Sequence, residues 1–144
     1  MSARSFTPVD GVTSDLSFEA RGDTLEELFA AAADALLAAT VGDPESVRTQ
    51  LTRTIALTEP DLELLLLRFL NELVYHRDAH FLLLHAGPLR VHANGEAHLE
   101  GQLVGEPIDE TRHTLEADVK AATAYGLAVE RRDGGFRASF TLDV

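Results

Sequence analysis

Between Asp15 and Ala20 apolar and polar residues alternate, with Leu16, Phe18 and Ala20 on one side and Asp15, Ser17 and Glu19 on the other. A period of two predicts a half-buried strand that carries Asp15 on its polar face. After Arg21-Gly22-Asp23 the period changes. Leu25, Leu28, Phe29, Ala32, Leu36 and Leu37 recur at helical spacing and predict a core-facing helix reaching Thr40. Thr24 and Glu27 form a capping box at its start, and Gly42-Asp43-Pro44 breaks it. Residues 47–57 hold Val47, Thr49, Leu51, Thr54, Ile55 and Leu57 and read as a second strand. Pro60 suits the first turn of a second helix. That helix is apolar at Leu62, Leu65, Leu66, Phe69, Leu70, Leu73 and Val74, and Leu64 and Leu67 widen the stripe almost all round. It is expected to be the central, most buried helix, ending near His76-Arg77-Asp78.

From His80 onward the pattern is one of short strands. Phe81–His85 and Leu89–Ala93 are expected on either side of Gly87-Pro88, and the hairpin dipeptide Asn94-Gly95 leads into Ala97–Val104. Gly105-Glu106-Pro107-Ile108-Asp109 reads as a loop. Ala117–Ala124 reads as a strand, and Leu127–Arg131 with Phe136–Val144 forms a last hairpin around Asp133-Gly134-Gly135. Gly11, Gly22 and Gly101 read as turns or bulges. Helices and hairpins are partly segregated along the 144 residues, which argues an α+β fold: one compact domain over residues 1–144, mostly antiparallel sheet with two main helices.

The charge balance narrows the function. Twelve basic residues stand against 24 acidic ones, a net charge of −12. Affinity for nucleic acid comes largely from Lys and Arg displacing counterions from phosphates, so direct tight binding to RNA or DNA is not expected. An acidic surface suits cations or a basic partner protein. The run Leu62 to Leu70 is interrupted by Glu63 and Arg68, and no stretch approaches the about 18 uncharged apolar residues of a membrane span. Met1 to Phe6 lacks the apolar run of a secretory leader, so the cytoplasm is the expected compartment. With no cysteine, thiolate metal sites and thiol nucleophiles drop out.

Candidate chemistry concentrates at the two ends. In the last strand Phe136, Ala138, Phe140, Leu142 and Val144 share one face, and Arg137, Ser139, Thr141 and Asp143 the other. The final carboxylate falls where this strand ends, beside Asp143. If the strand bearing Asp15 pairs with it, three carboxylates converge, and hard cations such as calcium take such oxygens at about 2.3–2.6 Å. An aspartate on a strand's polar face is more often simply solvated, and parity alone does not establish pairing. None of the six histidines forms a tight metal motif; His76 and His80 stand four apart but lack the glutamate of a zincin helix. All six read as surface or helix-end residues. Lys120, the sole lysine, reads as mid-strand, either an edge-strand gatekeeper or a cation able to meet a phosphate or a partner carboxylate.

Several stretches, in order along the chain, resemble the archease family. Val12-Thr13-Ser14-Asp15-Leu16 is similar to its H-T-A-D-V, and Gly22-Asp23-Thr24-Leu25-Glu26-Glu27-Leu28-Phe29 to G-x-T-L-E-E-L-F. Arg68-Phe69-Leu70-Asn71-Glu72-Leu73-Val74-Tyr75 resembles W-L-N-E-L-L-Y, and Gly105-Glu106-Pro107-Ile108-Asp109 also fits. Asp118-Val119-Lys120-Ala121-Ala122-Thr123 resembles E-V-K-A-V-T, and Leu142-Asp143-Val144 resembles F-D-I. Two departures stand out: Val12 replaces the family histidine, and Thr123-Ala124-Tyr125 stands where the family has T-Y-H.

The resemblance implies a small α+β protein that binds a divalent cation, with calcium the expected ion and magnesium or manganese also admitted. Its ligands would be Asp15, Asp143 and, through main-chain oxygen, Val144. It implies a non-catalytic helper of the GTP-dependent tRNA-splicing RNA ligase, one that promotes guanylylation of the ligase histidine and multiple turnover. Lys120 would then contact a phosphate or the ligase. Two other readings stay open on the residues alone: a metal-dependent phosphoester hydrolase using the same carboxylates, and an interaction module whose carboxylates are only solvated.

Overall fold

A computed structural model of the chain describes residues 4–9 and 15–144; Val12-Thr13-Ser14 and the turn expected at Gly11 lie outside the described residues. The elements run β1 (Ser5–Val9), β2 (Asp15–Gly22), α1 (Leu25–Thr40), a 3-10 turn (Pro44–Ser46), β3 (Leu51–Glu59), α2 (Leu62–His80), β4 (Leu82–Asn94), β5 (Glu96–Pro107), β6 (Ala121–Arg132) and β7 (Gly135–Asp143). The capping box forms as expected: Glu27 N–H donates to Thr24 Oγ1 at 3.1 Å, and Thr24 N–H donates to Glu27 Oε1 at 3.2 Å. At α2 the cap is Asp61, which accepts from Leu64 N–H at 2.8 Å, so Pro60 stands before the helix rather than in its first turn. The helix ends on Phe81, held in the left-handed conformation (φ 55°, ψ 42°).

All strand pairs are antiparallel, in two sheets ordered β1-β2-β7-β6 and β3-β5-β4. Several boundaries differ from the expectations, mostly because bulges carry strands through residues that look like breakers. β4 runs unbroken past Gly87-Pro88, where a register shift between Ala86 and Leu89 absorbs the proline's missing N–H. β6 likewise passes through a shift between Thr123 and Ala128, and residues 117–120 are not strand. β5 continues through Gly105-Glu106-Pro107, which is therefore not a loop. β3 starts at Leu51 rather than at residue 47, after the 3-10 turn. β1, an exposed edge strand containing Pro8, has no apolar alternation to announce it.

Both helices bridge the sheets. α1 packs on β1, β2 and β7 of one sheet and on β4 of the other, whereas α2 packs on β3, β4 and β5 and on β6. One buried cluster draws on both helices and both sheets, making the chain a single compact α+β domain. Phe29 and Phe69 join the helices with ring centroids 5.5 Å apart, and Phe18 stacks on Phe140 at 5.8 Å to join β2 to β7. The more buried helix is α1, not α2. Leu28, Phe29, Ala31, Ala32, Ala33 and Ala35 are wholly buried, while α2 buries only Leu65, Leu66, Phe69, Leu70, Leu73 and Val74 and leaves Leu64 exposed. Methyl side chains let the neighbouring elements close over α1 on several sides at once, which buries more of its circumference than of α2's.

Gly101 lies opposite the β4 bulge, paired with Leu89, at φ 151°. A Cβ there would run into the Pro88 carbonyl oxygen. Gly101→Ala should cost about 2 kcal/mol, through backbone strain and loss of the close β4–β5 approach, read as a lowered urea midpoint with unchanged slope.

Candidate functional site

β2 begins where β7 ends, and the register sets Asp15 directly opposite Asp143. The next pair inward, Leu16 with Leu142, faces the core; the one after, Ser17 with Thr141, joins its hydroxyls at 3.0 Å on the polar face. Alternation then puts both aspartates on that polar face, where directly opposed Cβ atoms stand about 4.5–5.5 Å apart. Val144 follows immediately, half-buried against the margin of the core.

On the other side of Asp143 lies the segment bearing Lys120. Lys120 is exposed and sits one residue before β6, so it is not mid-strand. Its N–H donates to the Asp143 carbonyl at 2.7 Å, and Ala121 pairs with Asp143. α2 holds this segment from both flanks. The Asn71 carboxamide donates to Ala122 O at 3.1 Å and accepts from Ala122 N–H at 2.8 Å. The Arg77 guanidinium donates to Val119 O and to Asp118 Oδ1, while the Val119 side chain is wholly buried. The fold thus brings Asp15, Asp143, Val144 and the Lys120 main chain to one end of one sheet.

The donor set there is entirely hard oxygen. Among the described residues neither aspartate side chain has an ion-pair or hydrogen-bond partner, and no three His, Cys, Asp or Glu side chains gather into a closed cage. Like charges directly opposed across strands repel. Two carboxylates with main-chain oxygen nearby suit an ion that accepts six to eight oxygens in loose geometry, most of them from elsewhere. They do not suit a structural zinc site, which is closed by four protein ligands.

A second polar cluster is one that sequence reasoning missed. Glu106, near the end of β5, is only 2% exposed. Its Oε2 accepts from the Arg48 N–H at 2.7 Å and from His113 Nε2 at 2.9 Å, and its Oε1 accepts from the Arg112 guanidinium. His113 is also buried, not on the surface, and its Nδ1 accepts the Asp109 N–H at 2.9 Å. That bond makes Nδ1 the acceptor and Nε2 the donor to Glu106. Arg112 also donates to Ser46 O at 2.9 Å, tying the 3-10 turn to the end of β5. The other five histidines are half-buried or exposed. No local pattern marks the cluster, because its donors come from positions 48, 112 and 113.

Burial pushes the Glu106 carboxyl upward, but the Arg48 N–H, His113 and Arg112 outweigh it and lower the pKa from 4.5 to about 2. A folded-state value below the unfolded one stabilises the fold above pH 4.5, and that stabilisation fades as pH falls toward 2. The shift corresponds to about 3 kcal/mol. Glu106→Gln should lose most of it at neutral pH and flatten the acid limb of the stability curve between about pH 5 and 2. Urea unfolding at a series of pH values measures both effects.

Comparison with known proteins places this architecture. The model of the Archease protein family (MTH1598/TM1083) matches residues 6–144. The protein archease of Methanosarcina mazei is 33% identical over 92% of this chain and 91% of its own length. That of Pyrococcus furiosus is 33% identical over 92% of this chain and 94% of its own. The solution structure of protein 1598 from Methanobacterium thermoautotrophicum superposes with a TM-score of 0.82 at 32% identity, covering 96% of this chain and 98% of that one. An archease of Thermotoga maritima described as a possible chaperone shares the fold, with a TM-score of 0.61 at 16% identity and 96% coverage of both chains.

Proposed function

The chain belongs to the archease family, and from that membership together with its carboxylate edge we propose that it is a non-catalytic, metal-binding activator of a GTP-dependent tRNA-splicing RNA ligase. It promotes the ligase's guanylylation and lets the ligase turn over many times. The observation that carries this reading is the pairing of Asp15 with Asp143 at the end of β2 and β7, with Lys120 bonded alongside. Asp15 and Asp143 hold a divalent ion, calcium before magnesium or manganese, and Val144 contributes main-chain oxygen. When bound, that ion neutralises the carboxylates and offers open coordination positions to phosphate oxygens.

The remaining roles fall to the chain itself. Asn71 and Arg77 position the segment that presents Lys120, and Lys120 contacts a phosphate or the ligase surface. The net charge of −12 keeps the protein from competing for the RNA, so it acts through the ligase protein. No helix among the described residues is long and apolar enough to cross a membrane. We place the protein in the cytoplasm, where such a ligase would meet its RNA. Neither Val12 nor Tyr125, which stand where the family has histidine, can supply an imidazole, so the proposed ion is held by oxygen alone.

Asp15→Asn and Asp143→Asn should each weaken calcium binding on the order of tenfold or more in calorimetry, and abolish stimulation of ligase guanylylation, with the circular dichroism spectrum unchanged. Stimulation retained by both variants would overturn the reading. So would phosphoester hydrolysis by the isolated protein that depends on the same two residues.

A further inference from the structure

Phe81 is placed where folding alone disfavours it. It occupies the left-handed position closing α2, where glycine or asparagine is preferred. Its backbone is locked there, its N–H donating to Arg77 O at 3.0 Å and its C=O accepting from Ile108 N–H at 2.8 Å. Yet the residue is 67% exposed. A phenylalanine at that position strains the backbone and leaves most of its surface in water. Backbone strain of this kind gathers at functional positions.

The ring lines a groove of about 430 Å³. Ile108, Ala117 and Leu115, the last 43% exposed, supply the rest of its apolar lining, and Asp78, Glu116 and Asp118 also line it. Asp118 is 86% exposed and Asp78 56%. Arg77, the one cation in the lining, is already engaged by Asp78, Asp118 and the Val119 carbonyl. From Asp118 the chain runs straight through Val119 to Lys120, whose N–H bonds Asp143. Groove and carboxylate edge are therefore neighbours along one pinned segment.

We propose that this groove is the docking site for the ligase, taking an apolar side chain of the ligase surface that is flanked by Lys or Arg. The inference rests on the ligase reading above and adds the surface and the chemistry of the contact. The apolar lining selects the anchor, and the carboxylates select its basic neighbours. A second copy of this chain does not fit, because it would bring another surface with 24 acidic residues against 12 basic ones. Docking here aligns the carboxylate edge with whatever part of the ligase lies beside the anchor.

The test uses the full chain and a purified ligase of this type. Phe81→Asn suits the left-handed backbone and should leave the unfolding midpoint unchanged or higher, while weakening ligase binding on the order of 30-fold, as loss of an aromatic anchor does. Glu116→Lys, an exposed change in the lining, should also weaken binding and reduce its dependence on salt. Wild-type binding with both variants unaffected overturns the groove and leaves the ligase reading standing. Failure of the wild-type protein to bind the ligase overturns both. A dimer of the free protein that Phe81→Asn dissociates assigns the groove to a second copy and overturns the proposal.

Discussion

The register between β2 and β7 governs the rest of the molecule. Phe18 meets Phe140 and Leu16 meets Leu142 on the core side, and these pairs admit no slip, since a shift of one residue would turn each strand's apolar set into solvent. The same alignment leaves Asp15 and Asp143 no position except opposite each other. Hydrophobic burial, which is cheap to satisfy and hard to violate, thus positions an arrangement of charge that would not assemble for its own sake. The repulsion between the carboxylates is offset by the packing of the whole sheet behind them.

α2 extends that control beyond the sheet. One face of the helix packs into the core through Phe69, Leu70, Leu73 and Val74, while Asn71 and Arg77 reach sideways to hold residues 118–122. In this segment the Val119 and Ala122 side chains are buried, Asp118 Oδ1 accepts from Arg77, and the main chain is bonded at Val119, Lys120 and Ala122. A helix buried on one stripe and polar at its margin serves as both packing element and clamp. An all-round buried helix, as α2 first reads, would have no side chain to spare for the second task.

What was legible in the residues follows from how local each signal is. The capping box of α1, the alternation in β2 and β7 and the Asn94-Gly95 hairpin need only near neighbours, and all appear where expected. The parity of the last strand placed Asp143 on the polar face; that its neighbour there is Asp15 is a matter of long-range pairing, which no local pattern encodes. β4 and β6 read as broken because Gly87-Pro88 and the residues after Thr123 look like turns, whereas bulges let strands pass through them. Glu106 and His113 read as loop and surface because burial of a charge depends on how the chain folds back: the Arg48 donor is 58 residues away, and His113 meets Glu106 only once the chain beyond β5 turns over it. The ranking of the helices failed because the breadth of an apolar stripe does not measure burial: Leu64, which widens the stripe of α2, is exposed, while the alanines of α1 are buried.

The sheet that carries the aspartates ends in β1, five residues with Pro8 inside them. An outer strand so short, and lacking one amide hydrogen, is a poor template for another chain to zip onto. Growth into fibrous assemblies by successive strand addition is therefore discouraged at that border.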